Sequence, residues 1–225
     1  MDVSENPTPE SRETADILDA KAELRARLRA ERRALDPSVR TAESEAASAH
    51  LWTWLGPVLD LARASGTRPA VATVLPMGTE PDTGPLRARL VEAGARVLVP
   101  VIEPHRRLNW VEWHPDVELG RAAGMAIDEP TGPRLGHDAL AAATAVVMPG
   151  LAVDGDGMRL GQGGGYYDRA LADLPGAVPT VAFVFTHELL PPGVVPVEPT
   201  DAPVDGVVTA EGLHWFRTPV PGCAE

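Results

Sequence analysis

The sequence predicts an α/β fold, a single domain built on a twisted, mainly parallel sheet with helices on both faces in a Rossmann-like three-layer arrangement. Three observations predict it. Beyond Gly66, short Val- and Ala-rich runs alternate with stretches of helical periodicity, the pattern of βαβ units. A chain of 225 residues with 44% hydrophobic side chains matches one domain core of ordinary size. The 21 Gly and 23 Pro follow no fixed period, which excludes a collagen-like repeat and implies many turns.

In chain order, residues 1–13 are polar, carry Pro7 and Pro9, and read as a disordered N-terminal tail, because such a segment buries too little apolar surface to offset its ordering. The domain is expected over 14–215. From Asp16, Ile17, Leu24, Leu28 and Leu35 recur at helical spacing up to Asp36-Pro37. A second helix starts at Pro37 with Asp36 as its cap and passes through Leu51, Trp54 and Leu55, and Pro57 is expected to interrupt or kink it. Pro69–Leu75 reads as a buried strand, Pro85–Gly94 as a short helix and Arg96–Val99 as the next strand, which makes a βαβ unit. Leu108–His114 is a further strand at a sheet edge or in a hairpin. Then follow a short helix at Ala139–Ala143, a strand at Ala145–Met148, a helix at Tyr166–Leu174, a strand at Val178–Phe185 and a last strand at Val204–Thr209. Residues 216–225 form a C-terminal tail. In such a sheet, ligands are expected beyond the carboxyl ends of the strands.

Charge and cysteine usage narrow the function classes. Twenty basic residues against 32 acidic ones give a net charge of −12, whose field repels nucleic acid and anionic membrane, so neither is expected as a partner. The single cysteine, Cys223, rules out an internal disulfide and a multi-cysteine zinc site. The first residues lack the apolar core of a secretory signal, and no apolar run is long enough to span a bilayer, so a cytoplasmic location is expected. The six histidines show no metal-ligand spacing.

The densest chemical signal runs from Met148 to Asp168. Glycines at 161, 163, 164 and 165 precede a helix that opens near Tyr166. Glycine tolerates positive φ, so such a loop can turn its N–H groups toward one point, and phosphate is the natural occupant. Arg159 precedes the loop and can contact phosphate oxygens. Asp168 either complements the helix dipole or holds Mg²⁺ beside a bound phosphate. The Walker A and G-x-G-x-x-G spacings are both absent, and a plain tight turn remains an alternative for the glycines. Lys21 is the only lysine among the 20 basic residues. It lies on the first helix one turn before Arg25, a like-charged pair that favours an anion between its members. Otherwise Lys21 is an ordinary solvated helix residue. Met77–Thr83 follows the first strand, and its Glu80, held extended before Pro81, can accept hydrogen bonds from a heterocycle. Asp201 and Asp205 flank Ala-Pro-Val before the last strand, and turn formation is the default for both.

Taken together, Lys21-Ala-Glu-Leu-Arg25, Glu80-Pro-Asp-Thr83, Met148-Pro-Gly-Leu151, Arg159-Leu-Gly-Gln-Gly-Gly-Gly-Tyr-Tyr-Asp168 and Asp201-Ala-Pro-Val-Asp205 resemble, in order and spacing, the 5-formyltetrahydrofolate cyclo-ligase (5,10-methenyltetrahydrofolate synthetase) family over residues 17 to 209. The resemblance implies ATP- and Mg²⁺-dependent closure of 5-formyltetrahydrofolate to 5,10-methenyltetrahydrofolate with release of ADP and phosphate. It implies that Lys21, Arg25, Arg159, Leu160, Gly161, Gln162, Gly163, Gly164, Gly165, Tyr166 and Asp168 meet the nucleotide. Met77, Glu80, Gly163, Tyr166 and Tyr167 would face the folate, Asp168 and Asp201 would hold Mg²⁺, and Lys21, Arg159 and Tyr167 would be catalytic. Gln162 and Gly164 depart from the Arg or Lys of other members. The chain is expected to act as a monomer. Two rival readings are a non-catalytic nucleotide- or phosphate-binding protein, which leaves Glu80 and the basic pair unexplained, and a sugar-phosphate isomerase or CoA-transferase-like enzyme, which needs no ATP.

Overall fold

Helix α1 spans Pro9–Ala34 and begins earlier than its apolar periodicity, taking in residues 9–13 that composition assigns to the tail. The computed structural model describes residues 9–121, 128–172 and 174–217, so the remainder of both expected tails lies outside the described residues. Lys21, Leu24, Leu28 and Arg32 form the buried stripe of α1, with a cation at each end. Helix α2 (Pro37–Ala64) is capped by Asp36, whose carboxylate accepts from the Ser38 amide at 2.8 Å and the Ser38 hydroxyl at 2.6 Å. That cap holds the Asp36 carboxyl below the usual carboxylate range. The expected interruption at Pro57 does not occur, and the helix continues to Ala64.

The elements that follow are β1 (Ala70–Ala72), α3 (Gly84–Glu92), β2 (Arg96–Glu103), β3 (Arg107–Trp113), β4 (Leu119–Arg121), β5 (Asp128–Pro130), β6 (Ala145–Pro149), β7 (Ala152–Asp154), β8 (Arg159–Leu160), α4 (Tyr166–Ala172), β9 (Thr180–Phe183), β10 (Leu189–Leu190), β11 (Gly206–Thr209) and β12 (Gly212–Trp215). The short helix expected near 139–143 is a 3₁₀ segment, His137–Ala142. The main sheet runs β12-β11-β9-β6-β1-β2-β3. Its centre, β11-β9-β6-β1-β2, is parallel, and antiparallel strands close both edges. β3 is thus the edge strand of a hairpin. Numbered along the chain, the parallel strands stand in the doubly wound order 2-1-3-4-5, whose switch point lies between β1 and β6.

Strand alternation divides the core between the two faces. Val71, Val97, Val99, Ala145, Val147, Val181 and Phe183 pack against Leu51, Leu55 and Leu59 of α2 and Leu86 and Leu90 of α3. Ala70, Ala72, Leu98, Val146, Met148 and Ala182 face the other way, toward Leu140, Tyr166 and Tyr167. Leu24 and Leu28 of α1 belong to neither layer. They pack on Leu151, Ala152 and Leu160 of a separate small sheet, β10-β7-β8, and on Val195.

Candidate active site

The switch point opens into a cleft of about 710 Å³. Val74 and Leu75 beyond β1 and Pro149 and Gly150 at the end of β6 line it. Helix α1 covers one side with Lys21 and Arg25, and the loop 161–165 with Tyr166, Tyr167 and Asp168 of α4 forms another. Every residue that the sequence nominates as functional, from Lys21 and Arg25 through Met77, Glu80 and the block 159–168 to Asp201, lines this cleft.

Charge beside the glycine loop is paired. Lys21, a residue 3% exposed, donates from its ammonium to Glu198 at 2.6 Å and Asp201 at 2.5 Å. The solvated position that the isolated sequence allows for Lys21 is therefore corrected: the turn in which Asp201 N donates to Glu198 O folds both carboxylates onto α1. Arg159 donates to Asp168 at 2.7 Å and to the Pro149 carbonyl at 3.2 Å and lies 5.6 Å from the Tyr167 ring centroid. Arg25 donates to the Gly161 carbonyl at 2.9 Å. Burial, and then Arg29, push its guanidinium below the usual arginine value, while Glu198, Asp201 and Asp168 pull the other way. Lys21 and Arg159 are thus held by three carboxylates, Glu198, Asp201 and Asp168, and a polyanion entering at the glycine loop must displace those carboxylates to reach the two cations.

Gly163 (φ 99°) and Gly165 (φ 66°) occupy the left-handed region, so the loop needs glycine at both positions. A Cβ at Gly164 would meet the Tyr166 ring at 2.6 Å, which gives that glycine a steric reason as well. Glu80 accepts from the Met77 amide at 3.0 Å and from the Gln162 side chain at 3.3 Å, tying the loop after β1 to the glycine loop. The Tyr167 hydroxyl is buried without a hydrogen-bond partner, and burial pushes its ionisation well above the usual phenol value. For Mg²⁺ the donor set is suitable but partial. Asp168 and Asp201 offer hard oxygen ligands on one cleft, yet each already faces a cation, and among the described residues no group of three His, Cys, Asp or Glu could hold a metal. That set matches an ion that takes one or two carboxylates and completes its shell with phosphate oxygens.

Residues 17–210 match the 5-formyltetrahydrofolate cyclo-ligase family. The chain belongs to that family. It is 34% identical over 195 residues to the 5-formyltetrahydrofolate cyclo-ligase of Mycolicibacterium smegmatis, covering 84% of this chain and 93% of the relative. It is 32% identical over 184 residues to that of Escherichia coli K12, covering 81% and 96%. The 5,10-methenyltetrahydrofolate synthetase of Aquifex aeolicus superposes with a TM-score of 0.68 at 26% identity, over 88% of this chain and 94% of the other. A Mycoplasma pneumoniae protein, described as a 5,10-methenyltetrahydrofolate synthetase, shares the fold at a TM-score of 0.64 and 18% identity, over 84% and 98% of the two chains.

In this cyclo-ligase, the residues that sequence reasoning missed are those that hold the nominated ones. Glu198 shares Lys21 with Asp201, and its only sequence signal is its place three residues upstream in Glu198-Pro-Thr-Asp201. Arg29 donates to the Gln162 side chain at 2.9 Å and its carbonyl at 3.0 Å, clamping α1 to the glycine loop. Arg32 reaches the Gly150 carbonyl and pairs with Glu188, one of its contacts being 2.8 Å.

Proposed function

We propose that this family member closes 5-formyltetrahydrofolate to 5,10-methenyltetrahydrofolate at the expense of ATP, with Mg²⁺. The observation that carries the reading is the meeting of Lys21, Arg25 and Arg159 with a left-handed glycine loop in one cleft at the β1/β6 switch point. A formamide is a poor electrophile and its oxygen a poor leaving group. The γ-phosphoryl therefore passes first to the formyl oxygen. N10 then attacks the formyl carbon, a C–N bond forms, the C–O bond to phosphate breaks, and the N10 proton is lost.

Positioning and charge neutralisation carry most of such a transfer. Lys21 leaves Glu198 and Asp201 for phosphate oxygens, and Arg25, Arg159 and the amides of 160–166 take the rest of the triphosphate. Asp168 and Asp201 would hold Mg²⁺, which would supply charge neutralisation on the phosphates. Met77, Glu80 and Tyr166 face the folate, and Tyr167 lines its junction with the nucleotide. No helix among the described residues is long and apolar enough to cross a membrane. We take the cytoplasm as the compartment, which suits a chain with one cysteine, and a monomer as the working form. Mixing the protein with 5-formyltetrahydrofolate and Mg-ATP should develop the methenyl chromophore with one ADP per product. Absence of both ends this reading.

A further inference from the structure

The β2–β3 hairpin turns through Pro104–Arg106, and there His105 and Arg106 take left-handed backbone with φ of 61° and 58°. Among the described residues they alone do so without being glycine. Glycine would adopt this turn without steric cost, so two bulky side chains kept here point to a use for one of them. Arg106 lines the cleft. It continues a row: Pro100 and Ile102 of β2 and Leu108 of β3 line the same cleft, Ile102 and Leu108 are directly paired, and Arg106 stands in the turn that joins the two strands. The result is an apolar strip that ends in a guanidinium. The other arginines of the cleft are engaged, Arg25 on Gly161 O, Arg159 on Asp168 and Arg169 on Gly165 O at 2.9 Å. Arg106 forms no ion pair or side-chain hydrogen bond among the described residues. A carboxylate that lines the same wall, Glu129, accepts from the Ile102 amide at 2.5 Å.

An apolar strip that ends in a free cation suits an aryl group carrying a carboxylate. We propose that Arg106 is a specificity-determining residue for the glutamate-tail carboxylates of the folate, whose benzoyl ring lies along Pro100, Ile102 and Leu108. The inference rests on the cyclo-ligase reading and extends it to a part of the substrate distant from the reacting formyl group. Arg107 adjoins Arg106 at the tip of the hairpin and adds a second cation there in a chain of net charge −12.

The test compares 5-formyltetrahydrofolate with 5-formyltetrahydropteroate, which lacks the glutamate, using the full chain and Arg106→Gly. That variant removes the guanidinium and relaxes the backbone, so loss of fold does not confound it. For the wild type, KM for the glutamyl compound should be about tenfold lower than for the pteroate, the scale of one charge-assisted hydrogen-bonded pair. Arg106→Gly should erase that difference by raising KM for the glutamyl compound alone, with KM for ATP unmoved and melting temperature equal or higher. Arg106→Lys should keep part of the discrimination. Full discrimination retained by Arg106→Gly overturns the inference. If wild type turns over neither compound, the cyclo-ligase reading fails, and calorimetric titration of the same two compounds still decides the role of Arg106: equal affinities in wild type overturn it, and a tenfold gap closed by Arg106→Gly sustains it.

Discussion

Lys21 holds its ammonium between two carboxylates at 2.5 and 2.6 Å, and its side chain is almost wholly buried. Removing it strands Glu198 and Asp201 in a partly desolvated site. Their remaining exposure, 29% and 16%, softens the penalty, so Lys21→Ala should cost about 2 kcal/mol of stability besides weakening ATP use. Chemical denaturation together with KM for ATP checks both effects. An unchanged unfolding midpoint would mean that the carboxylates find solvent unaided, and an unchanged KM would discard the phosphate role. Tyr167 presents the opposite case, a buried neutral hydroxyl. Its folded-state ionisation lies above that of the unfolded chain, so its contribution to stability is intact below about pH 10 and declines as pH rises beyond that. In Tyr166→Phe, Tyr167 is the only tyrosine left, since the chain has 2. Alkaline titration of that variant should show no phenolate absorbance while the fold persists, and an ordinary midpoint near 10 with intact circular dichroism would contradict the burial.

Helix α1 shows, at the scale of elements, what the sequence could and could not disclose. Its helical period is plain in Leu24 and Leu28, and both are buried. That Lys21 and Arg32 complete the buried stripe was hidden, because a charged side chain at a core position is intelligible only once its partner is known, and Glu188 and Glu198 lie more than 150 residues away. The sheet under α1 escaped for a related reason. β7, β8 and β10 have three, two and two residues, too few for an alternation pattern, and β12 is a short return strand of four. The glycine loop was legible because its chemistry is local: residue type alone permits the positive φ taken by Gly163 and Gly165. Arg32 and Glu188, both essentially without exposed surface, pin α1 to the turn after β6. Glu188→Ala leaves a buried guanidinium uncompensated and should destabilise the fold by about 3–5 kcal/mol, whereas Arg32→Met with Glu188→Leu should recover most of that loss. Urea melts of wild type, the single and the double variant test this, and a double variant no better than the single one would show that the pair does more than neutralise itself.

For the whole molecule, the sequence disclosed a parallel sheet with helices on both faces, because its strands are continuous apolar runs separated by helical periods. The strand order 2-1-3-4-5, and with it the position of the crevice, depends on pairings between distant segments that one sequence does not reveal. That crevice divides the molecule into a sheet with α2 and α3 on one side and α1 on the other. The long-range hydrogen bonds described for α1 run from Lys21, Arg25, Arg29 and Arg32 to residues 150, 161, 162, 188, 198 and 201, all in loops or short segments and all but 188 lining the cleft. A ligand that engages Lys21, Arg25 and the glycine loop at once therefore ties α1 down while leaving the main sheet as it was. Hydrogen exchange with and without a non-hydrolysable Mg-ATP analogue, in the absence of folate, should show slowing concentrated in residues 17–34 and 161–166. At a hundredfold excess over Kd, linkage limits that gain to about 2.7 kcal/mol, or roughly a hundredfold in rate. β1, β6 and α2, buried in the core, are expected to exchange through global unfolding and should rise only by the same global increment. Slowing confined to α2 and the sheet, with α1 unaffected, would contradict the view that α1 closes over the triphosphate.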